Sequence, residues 1–159
     1  MRPVEIVAGE TTRADIDIEL GTIELEVEVK TDDATPVAAA AVFVIGTAVD
    51  VPNAQALRDG AWVASWLRDN PGVTDPVPLH TRQAIGGKTS IAKMTPRTYS
   101  VCVAPLPASL DELAVMMSIP DQKATLPMRC QKVEIEASPA RQAVQVVVPG
   151  DWARLPESK

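Results

Sequence analysis

Two rows of carboxylates, one pair of cysteines, one pair of tryptophans and a lone histidine are the side chains here whose types and spacing could do chemistry. The carboxylates flank Gly21-Thr22: Asp15, Asp17 and Glu19 lie before it, Glu24, Glu26 and Glu28 after it. An oxygen-rich row suits a hard cation such as Ca²⁺, although calcium loops take their ligands from a tight turn rather than from a flat strand face. If Gly21-Thr22 were a two-residue hairpin loop, Glu19 would oppose Glu24, Asp17 would oppose Glu26 and Asp15 would oppose Glu28. Each such like-charge pair across a ladder is destabilising by up to ~1 kcal/mol. The two runs are therefore expected not to pair, and the chain to pass from one sheet, or one repeat, to the next near Gly21. No metal site is assigned.

Cys102 and Cys130 could form a disulfide, part of a metal site or two buried thiols. Zinc needs about four ligands, and two cysteines with one histidine fall short within a single chain. A bridge would tie the ends of the 105–128 excursion and contribute roughly 3 kcal/mol in the chain-entropy model. The disulfide is the preferred reading, with free thiols as the alternative. Trp62 and Trp66 are four residues apart and share one side of a helix, so they could form a sugar-stacking platform or a docking patch. In a chain with so few aromatics, anchoring the helix to the body of the protein is the preferred role. His80 is the only histidine and no Gly-x-Ser-x-Gly elbow is present, so nucleophilic catalysis has no support and no catalytic residue is assigned. An enzyme is not expected, nor is any cofactor.

The elements that must position these groups are mostly strands. The chain has 159 residues, the size of one domain able to bury its own core. Hydrophobic residues make up 46% and charged residues 23%, while aromatics reach only 3%, so Val, Ala, Ile and Leu must fill that core. Fourteen prolines against eight glycines argue for extended segments and turns over a helical bundle. The net charge of −6 is concentrated at the front, with ten acids and three bases in residues 1–33. No basic stripe exists to neutralise phosphates, and no apolar run approaches the ~20 residues of a membrane span. The start, Met1-Arg2-Pro3-Val4-Glu5, lacks an apolar signal-peptide core, which leaves a cytoplasmic protein or a piece of something larger.

Period-two alternation marks strands at Val4–Val7, Asp15–Leu20 and Ile23–Val29. Val37–Ile45 reads as a buried strand, followed by Pro78–Ala84, Thr89–Ala92, Thr98–Ala104, Arg129–Ala137 and Gln142–Val148. Two segments break the rhythm. Asn53 to Asn70 carries an N-cap signal at Asn53 and Pro71-Gly72 beyond its end, with Gly60 weakening its middle. Ser109-Leu110-Asp111-Glu112 is a capping-box pattern, stopped by Pro120, and Met116 and Met117 that follow it are expected core filler. The expected fold is mainly β: an antiparallel, Ig-like or transthyretin-like β-sandwich of about seven strands with short helical insertions near 53–69 and 109–118. Residues 1–150 form one domain, with 1–20 a candidate closing strand of a preceding repeat. Residues 151–159 form a tail that Trp152 packs down.

Gly21-Thr22-Ile23 through Val29, then Thr35-Pro36-Val37-Ala38-Ala39-Ala40-Ala41-Val42-Phe43-Val44, resembles the opening of carboxypeptidase regulatory-like domains. Thr95-Pro96-Arg97-Thr98-Tyr99-Ser100-Val101-Cys102-Val103 resembles their Pro-Gly-x-Tyr-x-Val strand, and Ile6–Thr12 with Asp15–Leu20 their closing strand. Ala39 and Arg97 stand where that family usually has glycine. The resemblance implies a transthyretin-like (prealbumin-like) sandwich that serves as a non-catalytic module of a bacterial surface protein. Transthyretin-like hydrolases of a urate breakdown product need several histidines, which this chain does not supply.

Two functions follow as expectations. The first is a structural or interaction module of a multi-domain bacterial envelope or secreted protein, with neighbouring domains as partners. The second is a carbohydrate-binding module using Trp62 and Trp66. Nucleic acid is not an expected partner. Together, the resemblance and the suspected disulfide imply a periplasmic, cell-surface or extracellular location.

Overall fold

The computed structural model describes residues 21–69, 71, 77–106 and 126–154. Val4–Val7, Asp15–Leu20 and the 109–118 insertion lie outside them. Seven strands are described: β1 (Ile23–Thr31), β2 (Ala39–Ile45), β3 (Leu79–Ile85), β4 (Lys88–Met94), β5 (Arg97–Pro105), β6 (Arg129–Ile135) and β7 (Arg141–Val148). Two short helices, α1 (Ala54–Asp59) and α2 (Ala61–Asp69), fill the β2–β3 connection, and a 3₁₀ helix, Gly150–Arg154, follows β7.

The strands form one sheet in the order β6-β5-β2-β3-β4-β1-β7, curled so that its two outer strands return to face each other. Two features of the expected antiparallel sandwich are corrected by this. The sheet is mixed, because β7 lies parallel to β1 over eight consecutive pairs from Glu24↔Arg141 to Thr31↔Val148. It is also nearly closed as a barrel. Alternation along a strand specifies which face is dry; it carries no information on the direction of the neighbour. The first insertion differs as well: Gly60, in the left-handed region at φ +64°, ends α1 and separates it from α2.

Local chemistry sets the turns. Gly86 and Gly87 have φ of +60° and +75°, the pair of positive values that a two-residue type I′ hairpin needs between β3 and β4. The Asn53 side chain caps α1 by accepting from Ala56 N–H at 2.8 Å. Before β5, the Tyr99 hydroxyl donates to Thr95 O at 3.1 Å, the tyrosine-corner arrangement of Greek-key β proteins.

Period-two burial along β1 sends Ile23, Leu25, Val27 and Val29 into the barrel, where they meet Val42, Val44, Ile91, Val101 and Val146. β2 is dry on both faces, as its uninterrupted apolar run requires. Its outward Ala41, Phe43 and Ile45 join Cys102, Ala104, Val51, Leu57 and Met128 in a second cluster, roofed by α1 and the start of α2. Trp152 packs against the barrel core from the C-terminal side, and Gly150 N–H is held by the Asp32 carboxylate at 2.9 Å.

Between β6 and β7 the closure is made by a side chain. Gln142 accepts from Glu136 N–H at 3.2 Å and donates to Glu136 O at 2.7 Å and Pro139 O at 3.0 Å. At the barrel end where β1 begins, a bulge shifts the β1–β4 register between Ile23 and Leu25. Lys93 occupies the left-handed region there at φ +64°, and a Cβ on Gly21 would collide with the Met94 carbonyl.

Opposite substitutions at this joint have opposite outcomes. Lys93→Gly relieves a non-glycine residue of a left-handed conformation and is expected to stabilise by about 0.5–1 kcal/mol. Gly21→Ala is expected to destabilise by about 2 kcal/mol or more, because the obstacle is backbone. Thermal denaturation of both variants measures the two signs.

Candidate functional site

The outer face of β4-β1-β7 gathers the carboxylates that follow Gly21. Glu24, Glu26 and Glu28 point outward along β1, with β4 on one side and β7 on the other. Both edges of β1 are thus occupied, and the preceding acidic run lies outside the described residues. Glu28 sits opposite Lys88 in the ladder, at 3.7 Å, and takes a 2.9 Å contact from Lys30. Glu24 sits opposite Arg141, at 3.0 Å, and Arg141 also approaches Glu26 at 3.8 Å. The hydrogen bond from Lys30 is the chief cause holding the Glu28 carboxyl below its ordinary value, against some desolvation, with the Lys30 and Lys88 charges adding to it. These pairs are exposed, so each is worth little to stability; they align charges rather than hold the fold.

Around the row the side chains are small. Glu26 lies between Ser90 and Ala143, and a shallow groove of about 600 Å³ runs there, bordered also by Gln145 and Lys88. No group of three or more His, Cys, Asp or Glu that could hold a metal ion occurs among the described residues. Arg141 and Lys88, the partners of the row, carry no signal in the sequence that marks them as such. The Gly86-Gly87 turn places Lys88 at the start of β4, but nothing local announces that it lies beside Glu28, or Arg141 beside Glu24.

The other candidates cluster on the opposite face. Cys102 and Cys130 are directly paired across β5 and β6 and are bonded to each other. Cys102 is fully buried in the second cluster, and Val51 N–H donates to Cys130 Sγ at 3.4 Å, tying the incoming insertion to the bridge. Nearby, Val49 N–H donates to Ser100 Oγ at 2.8 Å, and Met128 N–H to Pro52 O at 2.9 Å. Trp62 packs partly into the same cluster, and its indole N–H donates to Leu57 O at 3.2 Å. Trp66, one turn on, is half-buried. His80 stands apart on β3, paired with Val44 of β2 and half-buried. Burial pushes its imidazole below the ordinary value, and the Arg82 charge lowers it further.

No family model matches the chain, and no curated protein matches it. Among solved structures it is similar to a crystal structure from Pseudomonas aeruginosa described as a putative carbohydrate binding protein. The two are 12% identical, with a TM-score of 0.41, over 82% of this chain and 91% of that one.

Two measurements test the groups placed here. The folded protein binds the His80 proton less tightly than the unfolded chain does. Stability is therefore intact above the ordinary imidazole value of 6.5 and falls as pH drops through it. His80→Gln removes that part of the decline in pH-dependent denaturation. Replacing both cysteines by alanine is expected to lower stability by roughly 3–4 kcal/mol, for a closed loop with 28 residues of separation. Denaturant titration of the double variant checks this value.

Proposed function

We propose that the protein is a non-catalytic β-module that works by contact with other protein domains in a multi-domain envelope or secreted protein. The observation that carries this reading is the parallel placement of β1 and β7 side by side. The chain enters β1 at one pole of the barrel and leaves β7 at the other. A body threaded pole to pole is suited to sit in line between neighbours, with its side faces open for lateral contact. The charged outer face of β4-β1-β7 supplies such a face, with fixed Glu24–Arg141 and Glu28–Lys88 pairs as a pattern for a complementary surface. The Cys102–Cys130 bond supports an oxidising, extracytoplasmic compartment. The resemblance of Gly21–Val29 and Thr95–Val103 to carboxypeptidase regulatory-like domains agrees with the same role.

The glycan reading rests on Trp62 and Trp66 as a stacking platform. Trp62 is bound into the second cluster through both its ring and its N–H, which favours the anchoring role for it.

Amine cross-linking with mass spectrometry in the native cell tests the proposal through Lys93, at the pole where β1 begins, and Lys30, near the pole where β7 ends. The expected result is cross-links from the two lysines to different polypeptide regions outside residues 21–154. Saccharide-dependent shifts of the tryptophan fluorescence, together with an absence of protein cross-links, would overturn it in favour of the glycan reading.

A further inference from the structure

We infer that the β1–β7 ladder is a mechanical clamp, so that the module bears tension along its length. The inference deepens the in-line role and rests on the same pole-to-pole threading, but it makes a claim that the role alone does not. Eight consecutive pairs join the first and last described strands in parallel. The ladder is continued beyond both ends: Glu24 N–H donates to Ala140 O at 2.8 Å, and Asp32 N–H to Val148 O at 3.0 Å. At about 3.3 Å per residue, eight pairs span roughly 26 Å.

Direction decides how such a ladder responds to load. Strands pulled from the same end separate like a zipper, one pair at a time, and each bond faces the force alone. Parallel strands pulled from opposite ends are loaded in shear, so all the bonds must fail nearly together. Here the chain reaches β1 at its first residue and leaves β7 at its last, which is the shear arrangement. Both ends are also backed. Gly21 lies against the Met94 carbonyl at the start of β1, and load from the C-terminal side must first draw Trp152 off the barrel core. Shear would then displace Val144, Val146 and Val148 from the apolar interior as well as break hydrogen bonds.

The disulfide lies outside this path. It joins β5 to β6, neither of which pairs with β1 or β7, and keeps 28 residue spacings of chain from extending. Reduction is therefore expected to change how far the chain extends after failure, and not the force at which it fails. The added length is roughly 100 Å at full extension.

Single-molecule force spectroscopy on the full chain, with tags at both ends, tests the clamp. A second attachment geometry pulls the N-terminal tag against a handle at position 137, in the exposed β6–β7 turn beside the start of β1, and so loads the same ladder as a zipper. The rupture force is expected to be more than about twofold higher in the end-to-end geometry, and equal in oxidised and reduced protein. A Leu57→Ala variant, in α1 and packed into the second cluster away from β1 and β7, is expected to lower the melting temperature while leaving the end-to-end force within experimental scatter. Equal forces in the two geometries would overturn the clamp, and a lower end-to-end force on reduction would assign the resistance to β5–β6 instead. Failure of the cross-linking test with a high shear force would remove the in-line role and leave the clamp standing; the reverse result would remove only the clamp.

Discussion

The structure depends on one strand that has no wet face. β2 carries Ala40, Val42 and Val44 into the barrel and Ala41, Phe43 and Ile45 out of it, and six of its seven residues are buried. A sheet alone can cover one of those faces. The other needs a roof, which the β2–β3 connection provides with α1 and α2. Burying Phe43 alone is worth about 2–3 kcal/mol, so an uncovered outer face would be a standing penalty. The disulfide, the Ser100 contact to Val49 and the Asn53–Pro127 bridge all lie where the roof is attached.

Much of this was legible in the residues themselves. The alternation of Ile23–Val29, the apolar run ending at Ile45 and the Gly86-Gly87 turn place their elements to within one or two residues. The Asn53 cap and the cysteine pair are equally local, since each needs only a side-chain type at the right distance from an element's end. The unreadable parts are relations between distant segments. Parallel pairing of β1 with β7 joins residues more than a hundred positions apart, as Glu24 and Arg141 are. Closure of the barrel follows from accumulated twist and has no residue of its own to announce it.

The same separation governs the candidate sites. Three carboxylates in a row suggest a cation when read alone, because a strand's sequence shows its own charges and none of its neighbours'. Once β4 and β7 are in place, Lys88 and Arg141 supply the counter-charges, and the row becomes a patterned face. Trp62 illustrates the converse case. Its spacing from Trp66 is compatible with an exposed platform, and only the bond to Leu57 O across the Gly60 break and the packing into the second cluster show where its N–H and ring are engaged.

The glutamine between β6 and β7 has a consequence for how copies of this molecule behave toward one another. A curled sheet that stops just short of closure has two strand edges, and an unpaired edge is a template on which another chain can add a strand. Gln142 presents one amide to Glu136 as both donor and acceptor, so its side chain imitates the peptide group of a neighbouring strand. That occupies the backbone groups through which stacking would begin at this end of the seam. A single side chain thus covers, at that point of the seam, the backbone groups that a second copy would need for strand addition.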